Sequence, residues 1–385
     1  MSNEKFLSGL NVAYLAACAF HGVTPDADLV SKMNLSLVYK QACRHSLQGI
    51  TFLALRDYLS SCTDDASVSL FSAWQRDYSA IVHKIVYFQS EREKLFSFFE
   101  QSGIWYLPLK GIILQNYYPA LGMRQMVDND IYFNSRYRKT VKKFMAEQGY
   151  EVHSYGKGAH DIYIKRPFTF ELHVYLYTES VSDVFYRYYE NSFSRFIKDE
   201  DNSYGYHLSR EDFYIHLVTH SYKHYTHGGV GLRSLLDVYA FLSRHTDLDF
   251  DYISRELSSL GILEFDTLSR RLAFLLFSSP SPVNPSSLSE EDLSSLKSFV
   301  NSATYGVTGV AVRQEISRHG SGTKAKLKYM FARVFPDDLF YKYNYPFFYK
   351  HKLFRPFFVI ARLLYKTVLH PRAFFTRLKH IISYK

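Results

Sequence analysis

One stretch of the sequence, from Ile104 to Leu176, carries the short apolar runs and two-residue alternation that are typical of β-strands. Its runs are Ile104–Leu107, Val127–Phe133, Tyr150–Ser154, Ile162–Lys165 and Phe168–Leu176, with one helix-like stretch at Arg136–Gln148. Most of the remaining chain has apolar residues at spacings of three and four, as amphipathic helices do. The sequence therefore predicts an α+β fold, with a small mixed β-sheet flanked by N-terminal and C-terminal helical regions.

These changes of pattern divide the chain into four predicted parts. An N-terminal helical region covers residues 1–102, and the strand-rich α/β core covers residues 103–205. A helical domain follows over residues 206–338, and a basic, aromatic-rich helical segment covers residues 339–385. Because proline interrupts a helix interior, Pro356 and Pro371 predict that the last segment is divided into shorter helices.

The composition excludes several classes of protein. Of the 385 residues, 47% are hydrophobic and 22% are charged, which excludes a disordered or fibrous chain. No stretch approaches the roughly 18 uninterrupted apolar residues that a membrane-spanning helix needs. The N-terminus has no charged-then-apolar leader pattern. We therefore expect a cytoplasmic protein.

The formal net charge of +9 has its origin in the C-terminal segment. After Asp338 the sequence contains ten lysines and arginines and no acidic residue. Three interpretations of this segment stay open: a solvated helical face, a helix that lies on a membrane surface through its interleaved phenylalanines, or a surface for a phosphate-rich partner. The second would make the protein peripheral to a membrane.

Two of the predicted strands carry acidic side chains. Because side chains alternate along a strand, Asp128 and Asp130 would point to one face of the first, and Glu171 and His173 to one face of the second. If these strands are neighbours in one sheet, three carboxylates converge. Their mutual repulsion would then require a divalent cation such as Mg²⁺.

The order and spacing of these residues resemble an uncharacterised bacterial nucleotidyltransferase family of the DNA polymerase beta-like superfamily. The motifs that carry the resemblance are Leu109-Lys-Gly111, Arg124-Gln-Met-Val-Asp-Asn-Asp-Ile-Tyr-Phe133, Phe170-Glu-Leu-His173, His216-Leu-Val-Thr-His220 and Leu232-Arg-Ser-Leu-Leu-Asp237. The resemblance spans roughly Leu107 to Leu242. It implies a polymerase beta-like core over residues 103–205.

The resemblance also implies a reaction. The protein would move a nucleoside monophosphate from an NTP, such as ATP, to an acceptor, which would be a small molecule, a sugar phosphate, a protein side chain or an RNA end. Asp128, Asp130 and Glu171 would be the catalytic residues and would ligate Mg²⁺ or Mn²⁺. Glu171 would also accept the proton of the attacking hydroxyl.

Three residues match the phosphate-binding positions of the family. Lys110 and Gly111 stand where the superfamily has a turn that opens a helix, and Arg124 would add a bidentate contact to phosphate. Two positions depart from the superfamily, since Asn129 replaces an apolar residue and Ile112 replaces a serine. The alternative function is therefore a catalytically inactive adaptor that docks on a membrane or an acidic partner through its basic tail.

Four further residues are candidates for substrate contact or for support of the site: His173, His216, His220 and Asp237. His216, His220 and His224 recur every four residues and would share one helical face. That spacing is compatible with zinc, but no fourth ligand is evident nearby, which favours a structural or substrate-contacting face. Asp237 follows Arg233 by four residues, so the two would form a pair along one helix.

His160 and Asp161 form one more possible ligand pair. The pair resembles the His-Asp ligands of metal phosphohydrolases. Those enzymes need further histidines and aspartates on helices, whereas this pair lies beside a strand. We do not include it in the predicted site.

Overall fold

The computed structural model of the protein describes residues 3–304 and 308–383. The ends of the predicted first and last parts, including Lys385, and residues 305–307 lie outside the described residues. The N-terminal helices are α1 (Asn3–His21), α2 (Ala27–Ser31), α3 (Leu35–Arg44), α4 (Gln48–Ser61) and α5 (Asp65–Ser102). The boundaries proposed between the four parts stay predictions.

Helix α5 is the longest of the N-terminal helices and supports the sheet. It begins where the Asp64 side chain accepts a hydrogen bond from Ser67 N at 2.9 Å, which satisfies a free amide of the first turn. It ends at Gly103, whose φ of 67° is the left-handed conformation that glycine adopts without strain. Its buried residues Phe88, Leu95 and Phe99 face the sheet.

The central part alternates strands and short helices. Its elements are β1 (Tyr106–Pro108), α6 (Gly111–Leu114), β2 (Asn129–Phe133), α7 (Arg138–Glu147), β3 (Glu151–Ser154), β4 (His160–Lys165) and β5 (Phe168–His173). The described strands form a mixed sheet in the order β1-β2-β5-β4-β3. Strands β2 and β5 run parallel, and the other neighbours run antiparallel.

One face of this sheet is apolar because its strands alternate. Phe170 and Leu172 of β5 lie beside Ile131 and Phe133 of β2, and all four are almost fully buried. They pack with residues of α5 and α7. The side chains at the intervening positions are therefore directed to the opposite face, where polar groups are tolerated.

A second helical layer covers that opposite face. Its elements are α8 (Asp183–Tyr189), β6 (Ile197–Lys198), β7 (Tyr206–His207), α9 (Arg210–Tyr225), α10 (Leu232–Leu242), α11 (Phe250–Ser259), α12 (Leu263–Phe277) and α13 (Glu290–Ser302). Strands β6 and β7 pair with each other, and an isolated bridge joins Tyr106 of β1 to Gly205, the residue before β7. Helices α10 and α12 share one hydrophobic core with α1 and α4.

The C-terminal helices form a separate cluster of elements. They are α14 (Thr308–Ser317), α15 (Gly322–Val334), α16 (Asp338–Asn344), α17 (Pro346–Lys350), α18 (Arg355–Leu369) and α19 (Pro371–Ile382). Pro356 and Pro371 stand in the first turns of α18 and α19, which confirms the predicted division. Among residues 3–304 and 308–383, no helix combines the length and apolarity needed to cross a membrane.

The predicted fold class is confirmed. Each predicted strand lies within a few residues of an observed one, and the helical regions flank a small mixed sheet. Within the predicted N-terminal helical region, α3 and α4 are separated around Ser46, whose φ is 53°.

Candidate active site

The carboxylates of the sheet meet where β2 and β5 pair. The parallel register sets Asp130 directly opposite Glu171. Asp128 immediately precedes β2, and all three residues line one cavity of about 320 Å³. The condition on which their convergence depended, that the two strands are neighbours, is therefore confirmed.

Asp130 is the most tightly held of the three. Its Oδ1 accepts a hydrogen bond from Lys110 Nζ at 2.8 Å and lies 2.9 Å from His173 Nε2. Burial alone would raise the pKa of Asp130, but Lys110 and His173 outweigh it and hold that pKa far below its usual range. Asp130 is thus a buried anion neutralised from within the protein.

Lys110 reaches Asp130 through an unusual backbone conformation. Its φ of 42° lies in the left-handed region, and α6 begins at the next residue. Side chains other than glycine adopt this region at a cost of about 1–3 kcal/mol, and such strain clusters at functional sites. The Lys110 ammonium also lies 3.1 Å from His220 Nε2 on α9. Lys110 therefore connects the sheet to the second helical layer.

Glu171 has less compensation than Asp130. Its Oε2 lies 3.5 Å from His160 Nε2 across the β4–β5 pair. Burial, Asp130 and Asp128 together raise the pKa of Glu171 to about 7. Glu171 is therefore a buried carboxyl group that lacks the close lysine contact of Asp130.

A possible metal-binding group lies at the same place. His160, Glu171 and His173 each offer one ligand atom, and these three atoms lie within 4.8 Å of one another. Among the described residues, this is the one group of three such side chains that could hold a metal ion. The Nδ1 atoms of both histidines are buried and make no hydrogen bond to any described residue. Asp130 adjoins this group through its contact with His173.

The sequence interpretation of His160 and Asp161 needs correction. His160 was left out of the predicted site, yet it lines the cavity and contacts Glu171. Asp161, which was also left out, is fully buried and accepts two hydrogen bonds of 2.6 Å from Arg138, so its carboxylate is occupied within the protein. Burial and the neighbouring His173 lower the pKa of His160 to about 3, so its ring is a neutral donor.

Asn129, the departure between the two aspartates, has a structural partner. As expected, it faces the packed side of the sheet, and its side chain is fully buried. Its Oδ1 accepts a hydrogen bond of 3.0 Å from Nη1 of Arg92 on α5. An apolar residue here would leave the buried guanidinium without this acceptor.

Arg124 and Asp237 form a buried pair across 113 residues of sequence. Arg124 Nε and Nη2 donate to the two carboxylate oxygens of Asp237 at 2.7 and 3.0 Å. Tyr118 adds a hydrogen bond of 2.8 Å to the same carboxylate. The expected partner of Asp237 was Arg233, but the bidentate contact comes from Arg124, and Arg233 lies 3.4 Å from Gln125 O.

Helix α9 supplies the opposite wall of the cavity. His220, Lys223 and His224 line it, with the two Nε2 atoms of the histidines 3.2 Å apart. Burial and the nearby Lys110 lower the pKa of Lys223 to about 8. Lys223 was missed by the sequence analysis, although its position three residues after His220 predicts the same helical face.

His216 occupies a different environment from the other α9 histidines. Its ring packs against those of Tyr177 and Tyr189. Burial, with Lys110 nearby, lowers the pKa of His216 to about 3.

Gly111, a predicted phosphate-binding residue, lies in the cavity wall, and its carbonyl oxygen is 3.5 Å from Arg124 Nη1.

A small mixed sheet that presents clustered carboxylates to a cavity lined by helices is consistent with a nucleotidyltransferase domain. The chain belongs to the family described as "Uncharacterised nucleotidyltransferase", whose model matches residues 31–278. This match runs from the end of α2 to the end of α12 and includes the whole candidate site. Membership supports a general role in nucleotidyl transfer.

Comparisons with curated proteins and with solved structures returned no match. The C-terminal helices α14–α19 lie outside the residues that the family model matches.

Proposed function

We propose that the protein is a metal-dependent nucleotidyltransferase that moves a nucleoside monophosphate from an NTP to an acceptor. The observation that carries this proposal is the register of Asp130 opposite Glu171, with Asp128 beside them in one cavity. Burial, together with Asp130 and Asp128, raises the pKa of Glu171. A bound divalent cation would stabilise the charged form of these carboxylates.

The residues that would bind the ion offer both oxygen and nitrogen ligand atoms. Asp128, Asp130 and Glu171 supply carboxylate oxygens, which suit Mg²⁺. His160 and His173 add imidazole nitrogens, which suit Mn²⁺ better than Mg²⁺. When bound, such ions would neutralise the triphosphate and polarise its α-phosphate for attack.

The phosphate-binding role falls to the cationic groups of the cavity. Lys110 and Lys223 present ammonium groups from its two walls. Arg124 commits two of its nitrogens to Asp237, so its remaining Nη1, near Gly111, is the part that would face a phosphate oxygen. These groups would hold the triphosphate in place.

Glu171 is the proposed base for the acceptor hydroxyl. Its carboxylate lines the cavity beside Asp128 and Asp130, where it would accept the proton of an acceptor hydroxyl held there. His173 and His220 would orient Asp130 and Lys110 through the hydrogen bonds described above. Asp237 and His216 would act at a greater distance from the substrate. Asp237 would hold Arg124 in place, and His216 would hold the inner side of α9 in place.

Isothermal titration calorimetry with ATP, GTP, CTP and UTP, each with Mg²⁺ or Mn²⁺, tests this proposal. We expect at least one NTP to bind when metal is present and to lose binding when EDTA removes it. The double variant Asp128→Asn with Asp130→Asn would bind at least roughly tenfold more weakly. Asp247→Asn is the matched control, because this carboxylate is exposed and paired only with Arg210 among the described residues.

Two results would overturn the proposal: no NTP binds under any metal condition, or the double variant binds as the wild type does. The first result is also what a catalytically silent adaptor predicts. Once a binding NTP is known, transfer of its α-phosphate label to acceptor pools would identify the acceptor. Asp130→Asn should then lower the transfer rate by roughly 10²–10³-fold.

A further inference from the structure

The C-terminal helices expose large apolar side chains in ordered stripes. On α18, Phe357, Ile360, Leu364 and Val368 follow one another at spacings of three, four and four residues, and their exposed fractions are 69%, 58%, 59% and 70%. This spacing places all four on one helical face. An amphipathic helix normally buries such a face against another element.

Two further helices of this region also expose apolar side chains. Leu327 and Phe331, one turn apart on α15, are 58% and 65% exposed. Phe375 and Ile382, two turns apart on α19, are 61% and 69% exposed. Single exposed apolar residues are normal on protein surfaces, but stripes on three helices indicate a surface that meets a partner.

The positive charge of this region indicates which kind of partner it would bind. After Asp338 the sequence has no carboxylate side chain and ten lysines and arginines, of which Lys350, Arg372 and Lys379 are exposed. Asp338 itself is paired with Lys352 and Arg355. A second copy of this chain would bring the same positive charge, and a nucleic acid would leave the apolar stripes uncovered. An acidic lipid surface matches both properties.

A partly open cavity in the same region has matching chemistry. A cavity of about 780 Å³ lies among α15, α18 and α19. Its wall includes the apolar side chains of Met330, Leu363 and Leu378 and the basic side chains of Arg333 and Arg377. An apolar space with cations in its wall suits a lipid acyl chain with an acidic headgroup.

We propose that helices α15, α18 and α19 dock the protein onto the surface of an anionic lipid bilayer. The apolar stripes enter the boundary between headgroups and acyl chains, and the lysines and arginines contact acidic headgroups. Helix α16 ties this surface to the sheet region, because Lys342 pairs with Glu179 at 2.7 Å and Tyr343 O accepts a hydrogen bond from Gly158 N at 2.8 Å. Docking would therefore hold the whole chain at the membrane.

Co-sedimentation of the full chain with lipid vesicles tests the proposal. We expect the protein to pellet with vesicles of phosphatidylcholine and phosphatidylglycerol and to stay in solution with phosphatidylcholine alone. Added salt should weaken the binding, because it screens the attraction between lysines and headgroups. Both lipid arms use the same purified protein and need no nucleotide, so the result is independent of the proposed transfer activity.

Two variants separate the apolar and the electrostatic contributions. Ile360→Asp with Leu364→Asp places charge on the α18 stripe, and Lys350→Gln with Arg372→Gln and Lys379→Gln removes exposed cations. Each variant should bind anionic vesicles at least about tenfold more weakly, because the first places charge on the apolar stripe and the second removes attraction to acidic headgroups. All substituted side chains are exposed, and circular dichroism would verify that the variants fold.

A control variant substitutes exposed apolar residues elsewhere. Val68→Asp with Val184→Asp changes side chains that are 47% and 50% exposed on α5 and α8, and it should bind as the wild type does. The proposal is wrong if the wild type stays in solution with anionic vesicles, or if it pellets equally with neutral ones. It is also wrong if both the stripe variant and the cation variant bind as tightly as the wild type.

Discussion

The sheet core and the C-terminal helices treat charge in opposite ways. In the core, Arg92, Arg124 and Asp130 are buried, and each has a named partner at hydrogen-bond distance. In the C-terminal helices, exposed cations such as Arg372 and Lys379 stand beside exposed apolar stripes.

This difference follows from the cost of desolvation. Taking a charge out of water costs several kcal/mol unless a partner compensates it, so the core tolerates charges only in matched sets. An exposed cation carries no such requirement, whereas an exposed apolar side chain gains free energy when a partner removes it from water. The buried charges of Arg92, Arg124 and Asp130 are therefore matched within the chain, whereas the C-terminal helices leave apolar surface and cations available to a partner.

The largest effect is expected from breaking the pair between Arg124 and Asp237. Asp237→Asn keeps the shape but leaves a buried guanidinium without its countercharge, so the free energy of unfolding should fall by about 3–5 kcal/mol. Urea unfolding followed by circular dichroism measures this.

The matched control for that variant is Arg271→Gln. Arg271 is 45% exposed and pairs with Glu291 and Asp292, so its loss should lower the free energy of unfolding far less than the loss of Asp237 does. Equal losses for the two variants would contradict the contrast between buried and exposed charge.

The next effect concerns Asn129. Asn129→Val restores the apolar residue of the superfamily but removes the acceptor of Arg92 Nη1. We expect a loss of about 1.5–3 kcal/mol in the free energy of unfolding, because the lost hydrogen bond involves a charged group. The double variant Arg92→Met with Asn129→Val should recover most of that loss, and a double variant less stable than the single one would refute this account.

A third effect depends on pH through His45. This side chain is fully buried, and Leu232 N donates to its Nδ1 at 3.2 Å. Burial and Arg44 lower the pKa of His45 from 6.5 to about 3. The unfolded chain binds a proton at His45 more readily than the folded chain does. The contribution of neutral His45 to the free energy of unfolding is therefore complete above pH 6.5, and it is lost as the pH falls towards 3.

At pH 5 the loss from His45 amounts to roughly 2 kcal/mol relative to pH 7.5. His45→Gln keeps an acceptor for Leu232 N and removes the titrating ring. Urea unfolding of both proteins at the two pH values should show the smaller pH-dependent loss in the variant. Identical pH dependence would place the acid sensitivity on other groups.

The smallest effect on stability is expected at the α18 stripe. Ile360→Asp with Leu364→Asp should change the free energy of unfolding by no more than about 0.5 kcal/mol per position, because both side chains are exposed. Thermal unfolding without lipid measures this. A loss above about 2 kcal/mol would show that the stripe already belongs to a hydrophobic core.

The sequence predicted much of the fold because its alternation is local. The pattern of β5 alone separates Phe170 and Leu172 from Glu171 and His173, and the structure places the first pair in the core and the second in the cavity. The face of Asn129 followed from the same argument, although its partner Arg92 did not.

The parts of the site that escaped prediction depend on tertiary contacts. The pair of Arg124 with Asp237 joins positions far apart in sequence, and no local pattern distinguishes it from the nearer Arg233. Lys223 enters the cavity only because α9 packs over the sheet. His160 was predictable in principle, since the β4–β5 hairpin pairs it with His173.

In that hairpin, the length of the turn decides which side chains of β4 face the candidate site. Strand β4 ends at Lys165 and β5 begins at Phe168, so two residues connect them. This short connection sets the register of the hairpin, including the pair of His160 with His173. Because successive side chains alternate, one residue inserted there would turn His160 away from Glu171 without altering any residue of the site. In evolutionary terms, this site should accept substitutions around it more readily than a single insertion in its turn.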